Sequence, residues 1–141
     1  REAEIRAAFA HEFVKPSGRL AHNDQTSYAI AFLHGLITPE HREAARAHFR
    51  RVIEDAGYRI GTGFIGTPDL LPALSREGMH DLAGKVFLNE EVPGWLYQVR
   101  MGATTIWERW DALGPDGTIY DPDMNSYNHY AYGAVCQWLF E

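Results

Sequence analysis

Three features of the sequence predict an all-α fold. Apolar residues recur three and four positions apart in successive segments, a Thr-Pro-acid helix start occurs twice, and clear strands are scarce. Short links between the segments favour antiparallel helical hairpins. With 45% hydrophobic and 23% charged residues, the 141-residue chain reads as one structural unit, without an internal linker or a disordered tract. A bundle, a helical solenoid or part of an α/α toroid fits, although no fixed-period repeat supports the common solenoid families.

The first helix is expected over residues 1–14, where Ile5, Phe9 and Phe13 form one apolar face. Lys15-Pro16-Ser17-Gly18 stops it, because Pro16 disfavours helix at its predecessor and Gly18 frees the turn. Asp24 offers an N-cap to a second helix facing inward with Ala29, Phe32, Leu33 and Leu36. Thr38-Pro39-Glu40 begins a third, which presents Ala45, Phe49, Val52 and Ile53 and ends near Gly57. Thr67-Pro68-Asp69 repeats that start before Leu70, Leu71 and Leu74, and another helix covers about 80–90 with Leu82, Ala83, Val86 and Phe87. Residues 92–125 are broken by Pro93, Gly94, Gly102, Gly114, Pro115, Gly117 and Pro122; within them Trp95–Met101 and Thr104–Trp110 read as strand or short helix alike. A last helix, capped by Asn125 or Ser126, carries Ala131, Ala134, Val135, Trp138 and Leu139 on one stripe.

Composition limits the partners. A net charge of −6 argues against nucleic acid and anionic membrane surfaces, both of which attract basic faces. No apolar run reaches the roughly 18–20 residues of a membrane span. The single cysteine, Cys136, excludes an intrachain disulfide and a Cys-rich zinc site, and its place near the apolar stripe suggests an inert core thiol. The chain opens at Arg1 inside a helical pattern, without a signal peptide, and reads as a piece of something longer. Aromatics at 13% and seven histidines suit carbohydrate recognition as well as an ordinary core.

Several motifs lose their chemistry when their surroundings are considered. Gly61-Thr62-Gly63-Phe64-Ile65-Gly66 matches G-x-G-x-x-G, but a helix end precedes it where a dinucleotide site needs a strand. A tight loop at the rim of a helix pair accounts for it better. Asp121-Pro122-Asp123-Met124-Asn125 starts like a calcium loop but has Ser126 and Tyr132 where Gly and Glu are required, leaving an Asx turn. His34, His41 and His48 are spaced by seven, which does not match a helical metal pair, and read as surface or boundary residues.

Two segments retain chemical interest. Ala103–Asp111 sets Glu108 between Trp107 and Trp110 with Arg109 adjacent. It reads either as a surface Glu–Arg pair beside core tryptophans, or as a carboxylate in an aromatic-walled pocket able to serve as a general base. Residues 124–135 crowd Asn125, Tyr127, His129, Tyr130 and Tyr132 around the start of a helix, with His129 about one turn in. These form either a capping region over the core or a ligand-binding end.

Together with Gln25-Thr26-Ser27-Tyr28-Ala29, the segments Gly61–Pro68, Gly102–Trp110 and Met124–Tyr130 resemble bacterial α-L-rhamnosidases of glycoside hydrolase family 78, over about residues 20–141. The resemblance implies an (α/α)6 barrel, of which this chain supplies about the C-terminal half. It also implies hydrolysis of terminal α-L-rhamnosides with inversion and without a cofactor. By resemblance Glu108 is the general base and His129 contacts the rhamnose; in the aromatic-walled reading Trp107 and Trp110 shape the substrate site, at least one of them as core. Inversion needs an acid and a base roughly 6.5–9.5 Å apart, with water between. The family's acid lies in an Asp/Arg-rich motif that this sequence does not contain, so the segment alone is expected to be inactive. Helix faces left open in such a piece favour self-association. A non-catalytic carbohydrate-binding or interaction module is the alternative.

Overall fold

Turn chemistry decides where these helices begin and end. In the computed structural model, which describes residues 1–141, Gly18 has φ 76°, a left-handed conformation that favours glycine. A Cβ there would also lie 2.6 Å from the Ala44 Cβ, so the turn after the first helix packs directly on the third. The helices are α1 (Glu2–Phe13), α2 (Gln25–Leu33), α3 (Pro39–Asp55), α4 (Thr67–Arg76), α5 (His80–Phe87), α6 (Trp95–Arg100) and α7 (Val135–Phe140). A 3-10 turn, Ala131–Ala134, leads into α7. No strand forms; two isolated antiparallel bridges join Val14 to Leu20 and Leu113 to Ile119. Within Trp95–Met101 the residues Trp95–Arg100 therefore resolve as helix, and Thr104–Trp110 is neither helix nor strand.

Asp24 caps α2 as expected, accepting the Ser27 N–H at 2.8 Å. Pro39 opens α3, but the Thr38 hydroxyl bonds to His41 Nδ1 at 2.9 Å instead of capping. Thr67 lies just inside α4, with Gly66 at the cap position. The Thr67 hydroxyl donates to the Gly63 carbonyl at 2.8 Å and ties the glycine-rich loop to the helix. Pro72 sits within α4 without ending it. It withholds one N–H from the ladder, while Leu70, Leu71, Ala73 and Leu74 around it are buried and hold the helix by packing.

The core gathers on α4, which packs against α2, α5, α7 and the 3-10 turn, while α3 closes over α2 and α5. Tyr28, Ala29, Ala31 and Phe32 of α2 meet Ala45, Phe49 and Ile53 of α3, and Leu82, Ala83 and Val86 of α5 complete the cluster. The buried carboxylate of Glu77, at the end of α4, is held by Arg42 of α3 through bonds of 2.6 and 3.1 Å.

Three expectations change. The first helix forms but buries nothing in this chain: Ile5 is 56% and Phe13 43% exposed, and only Phe9 packs against the core. Cys136 is exposed, because α7 turns Val135 inward and the next residue outward. Leu36 falls beyond α2, which ends at Leu33 ahead of a left-handed Gly35.

Tyr28 links the core to the α1–α2 connection. Its hydroxyl donates to Asn23 Oδ1 at 2.9 Å and accepts the N–H of buried Leu20 at 3.2 Å. Burial pushes its pKa up, so the fold favours the neutral phenol. That contribution is complete below the unfolded value of about 10 and is lost as pH rises through the higher folded value. Tyr28→Phe leaves the Leu20 N–H without its acceptor, at a cost of about 1–3 kcal/mol. Melting curves from pH 8 to 11 are expected to show a lower melting temperature for Tyr28→Phe near neutrality and a smaller alkaline decline. Parallel curves for the two proteins would contradict the role given to this hydroxyl.

Candidate active site

Short α6 organises the irregular segment that follows it. Its buried Gln98 accepts the Trp107 N–H at 3.3 Å and donates to the Arg109 carbonyl at 3.2 Å, gripping the backbone on both sides of Glu108. Tyr97 donates to the Leu113 carbonyl at 2.8 Å, and the Trp95 indole N–H to the Tyr132 carbonyl at 2.9 Å. Side chains of one helix thus do for residues 105–113 what a backbone ladder does in a sheet.

The two chemically interesting segments meet. The Glu108 N–H donates to the Ser126 carbonyl at 2.9 Å, and the His129 N–H to the Ile106 carbonyl at 2.8 Å. The Thr105 hydroxyl adds a bond to the Tyr127 carbonyl. Residues 105–108 and 126–129 therefore run antiparallel, with Glu108 opposite Ser126 at one end of the pairing and His129 opposite Ile106 at the other. The Ser126 N–H donates to Glu108 Oε2 at 3.0 Å and orients the half-buried carboxylate.

This pairing corrects the expected start of the last helix. Asn125 and Ser126 do not cap it, since Ser126 spends its N–H and carbonyl on Glu108 and its hydroxyl on the Asn128 N–H. Helical structure waits until Ala131, and His129 lies ahead of the helix, not one turn into it.

Arg109 does not pair with Glu108. It binds Asp111 at 3.0 and 3.2 Å and lies 4.5 Å from the Tyr120 ring centre. The surface Glu–Arg pair is thus absent, although both neighbouring tryptophans are buried. Trp107 is 3% exposed and meets Tyr127 edge-on at 5.4 Å. Trp110 is 7% exposed, stacks on Tyr132 at 3.9 Å and meets Trp95 edge-on at 5.4 Å. Burial raises the pKa of Tyr132 and keeps it neutral beneath the site. A cavity of about 380 Å³ lies between Val92, Pro93, Glu108, Trp110, Met124 and Tyr132. Its size falls within the roughly 300–1,000 Å³ of small-molecule sites.

The glycine-rich loop also contributes. Gly61 donates its N–H to Gln25 Oε1 at 2.7 Å, and a Cβ on Gly66 would lie 2.5 Å from Thr26 Oγ1. These glycines provide close approach to α2, and the loop carries Phe64, whose ring stacks on His129 at 5.0 Å. Gln98 and Phe64 have contacts at the candidate site that the sequence did not single out. Only the breaker glycines around Phe64 gave a local signal, and it pointed to the loop and not to the ring. No group of three or more His, Cys, Asp or Glu side chains converges as a metal site. No helix is long and apolar enough to cross a membrane.

The bacterial alpha-L-rhamnosidase 6 hairpin glycosidase domain matches residues 1–141. The chain belongs to this α-L-rhamnosidase family. An α-L-rhamnosidase of Streptomyces avermitilis is 39% identical over 136 residues, 96% of this chain and 13% of that protein. One from Formosa agariphila is 42% identical over 117 residues, 83% of this chain and 13% of the relative. The crystal structure of the Streptomyces avermitilis enzyme complexed with L-rhamnose superposes with a TM-score of 0.93 at 38% identity, covering 98% of this chain and 13% of that one. The native α-L-rhamnosidase from Aspergillus terreus gives 0.93 at 38% identity, covering 99% of this chain and 16% of its own. The chain thus spans about 13% of the length of the curated rhamnosidases it matches. The all-helical, hairpin-based reading of the sequence agrees with these relatives.

Proposed function

We propose that this chain forms the water-activating side of the active site in a longer, inverting α-L-rhamnosidase. The observation that supports this is the antiparallel pairing of residues 105–108 with 126–129, which joins the segments that carry Glu108 and His129, with Glu108 on the wall of a small-molecule-sized cavity. Glu108 is the general base: with Oε2 held by the Ser126 N–H, Oε1 takes a proton from water as that water attacks the anomeric carbon. The C–O bond to the leaving group breaks as that oxygen receives a proton from an acid supplied outside these residues. The 141 residues alone therefore do not turn over. His129 donates to a sugar hydroxyl, while Trp107 and Trp110 shape the site from beneath as packing walls.

In the full-length protein acting on an aryl α-L-rhamnoside, proton NMR of the first product is expected to show β-L-rhamnose before mutarotation. Initial release of the α anomer would overturn the inverting mechanism. No release of rhamnose at all would overturn the activity.

A further inference from the structure

The Gly61–Gly66 loop is held more firmly than its exposed position suggests. Gln25 accepts the Gly61 N–H at 2.7 Å and donates to the Arg59 carbonyl at 2.9 Å, while Thr67 holds the Gly63 carbonyl at 2.8 Å. Bonds on its N-terminal side and at the helix start thus fix the backbone that carries Phe64. The Phe64 ring is 37% exposed, yet lies nearly parallel to the His129 imidazole, with centroids 5.0 Å apart and planes at 17°. It also contacts Tyr132 at 5.0 Å, and Tyr130 stacks on His129 at 5.5 Å and 9°.

Beyond these two rings the imidazole has little restraint. The His129 backbone N–H is bound to Ile106, and ring Nδ1 accepts the Ala131 N–H at a long 3.4 Å. That bond assigns the neutral-ring proton to Nε2, which becomes the free donor. A donor on a two-torsion side chain is only as well aimed as its ring plane. The flat surface that sets this plane from outside the local chain is Phe64.

We propose that Phe64 is a positioning residue for His129, fixing the imidazole plane so that Nε2–H is presented to the bound sugar. The proposal rests on His129 being a sugar contact, and it gives the glycine-rich loop a role: the glycines set Phe64 against the site. Phe64 does not line the cavity beside Glu108 and acts on the sugar through His129.

The test is a double-mutant cycle in the full-length enzyme, measured on an aryl α-L-rhamnoside, with folding followed by circular dichroism and melting temperature. Phe64→Leu is expected to lower kcat/KM about 10-fold, less than the roughly 10²-fold cost of a full ångström of misplacement. Phe64→Tyr, which keeps the ring, recovers most of that loss. In a His129→Ala background, Phe64→Leu adds less than about twofold, since distant or uncoupled sites alone remain additive. Should Phe64→Leu cost the same in both backgrounds, Phe64 acts elsewhere and the proposal fails. The same follows if Phe64→Leu is silent while His129→Ala is damaging. A silent His129→Ala would instead remove the sugar-contact reading, and the positioning role with it. If Phe64→Leu lowers the melting temperature, Phe64→Met supplies a second variant without a ring, judged by the same outcomes.

Discussion

Glu108→Gln in the full-length enzyme is expected to reduce turnover by about 10²–10⁴-fold or more while the protein stays folded. The substitution nearly preserves shape. A glutamine carbonyl still accepts the Ser126 N–H that Glu108 Oε2 accepts at 3.0 Å, and the Gln98 contacts on either side involve only backbone. The anchoring therefore survives, and what disappears is the ability to take a proton from water. KM is expected to change little, because the loss falls on the transition state and not on ground-state binding. An azide ion, which attacks without needing deprotonation, should restore bond cleavage to the variant and give a rhamnosyl azide of inverted configuration. Equal turnover of wild type and variant would make Glu108 a structural carboxylate serving only the Ser126 N–H.

The helical part of the fold was legible because its signals are local. Asp24 as a cap, Pro39 at a first turn and Gly18 as a breaker act within a few residues, and the structure uses each as the sequence suggests. The candidate site was legible only as a set of residues, since its geometry depends on contacts between distant segments. Asn125 and Ser126 have the chemistry of helix caps, yet Ser126 commits its backbone to Glu108, eighteen residues away. No periodicity reveals such a bond. Phe64 was hidden for a related reason: its neighbours announce a turn, while its partner His129 is 65 positions later in the sequence. Gln98 resembles any polar residue of a short helix until its burial and its two backbone bonds are seen. For α1 the local signal was correct, but its apolar face finds only a partial partner, so period predicted the helix and not its burial.

Phe49→Ala should produce the largest loss of stability without touching the chemistry. Phe49 is fully buried and anchors the long, mostly exposed α3, which otherwise buries only Ala45 and Ile53. Its ring stacks on Tyr28 at 5.5 Å and on Phe32 at 5.8 Å, with planes within 19° and 18°. Truncation removes the buried ring, two aromatic contacts and the fit of α3 over α2, and leaves a cavity that flat neighbours fill poorly. Buried Phe→Ala changes cost about 3–5 kcal/mol, a large share of the roughly 5–15 kcal/mol that holds a domain together. The denaturant midpoint and the temperature of half-inactivation are both expected to fall sharply. Phe49→Leu, which refills part of the space, should recover much of the difference. At room temperature the folded enzyme should keep its kcat, because Phe49 packs between α2 and α3 and has no contact with Glu108 or His129. A stable Phe49→Ala protein would mean that α3 is held chiefly by the Arg42–Glu77 pair; loss of kcat in a folded variant would mean that α3 packing sets the site geometry.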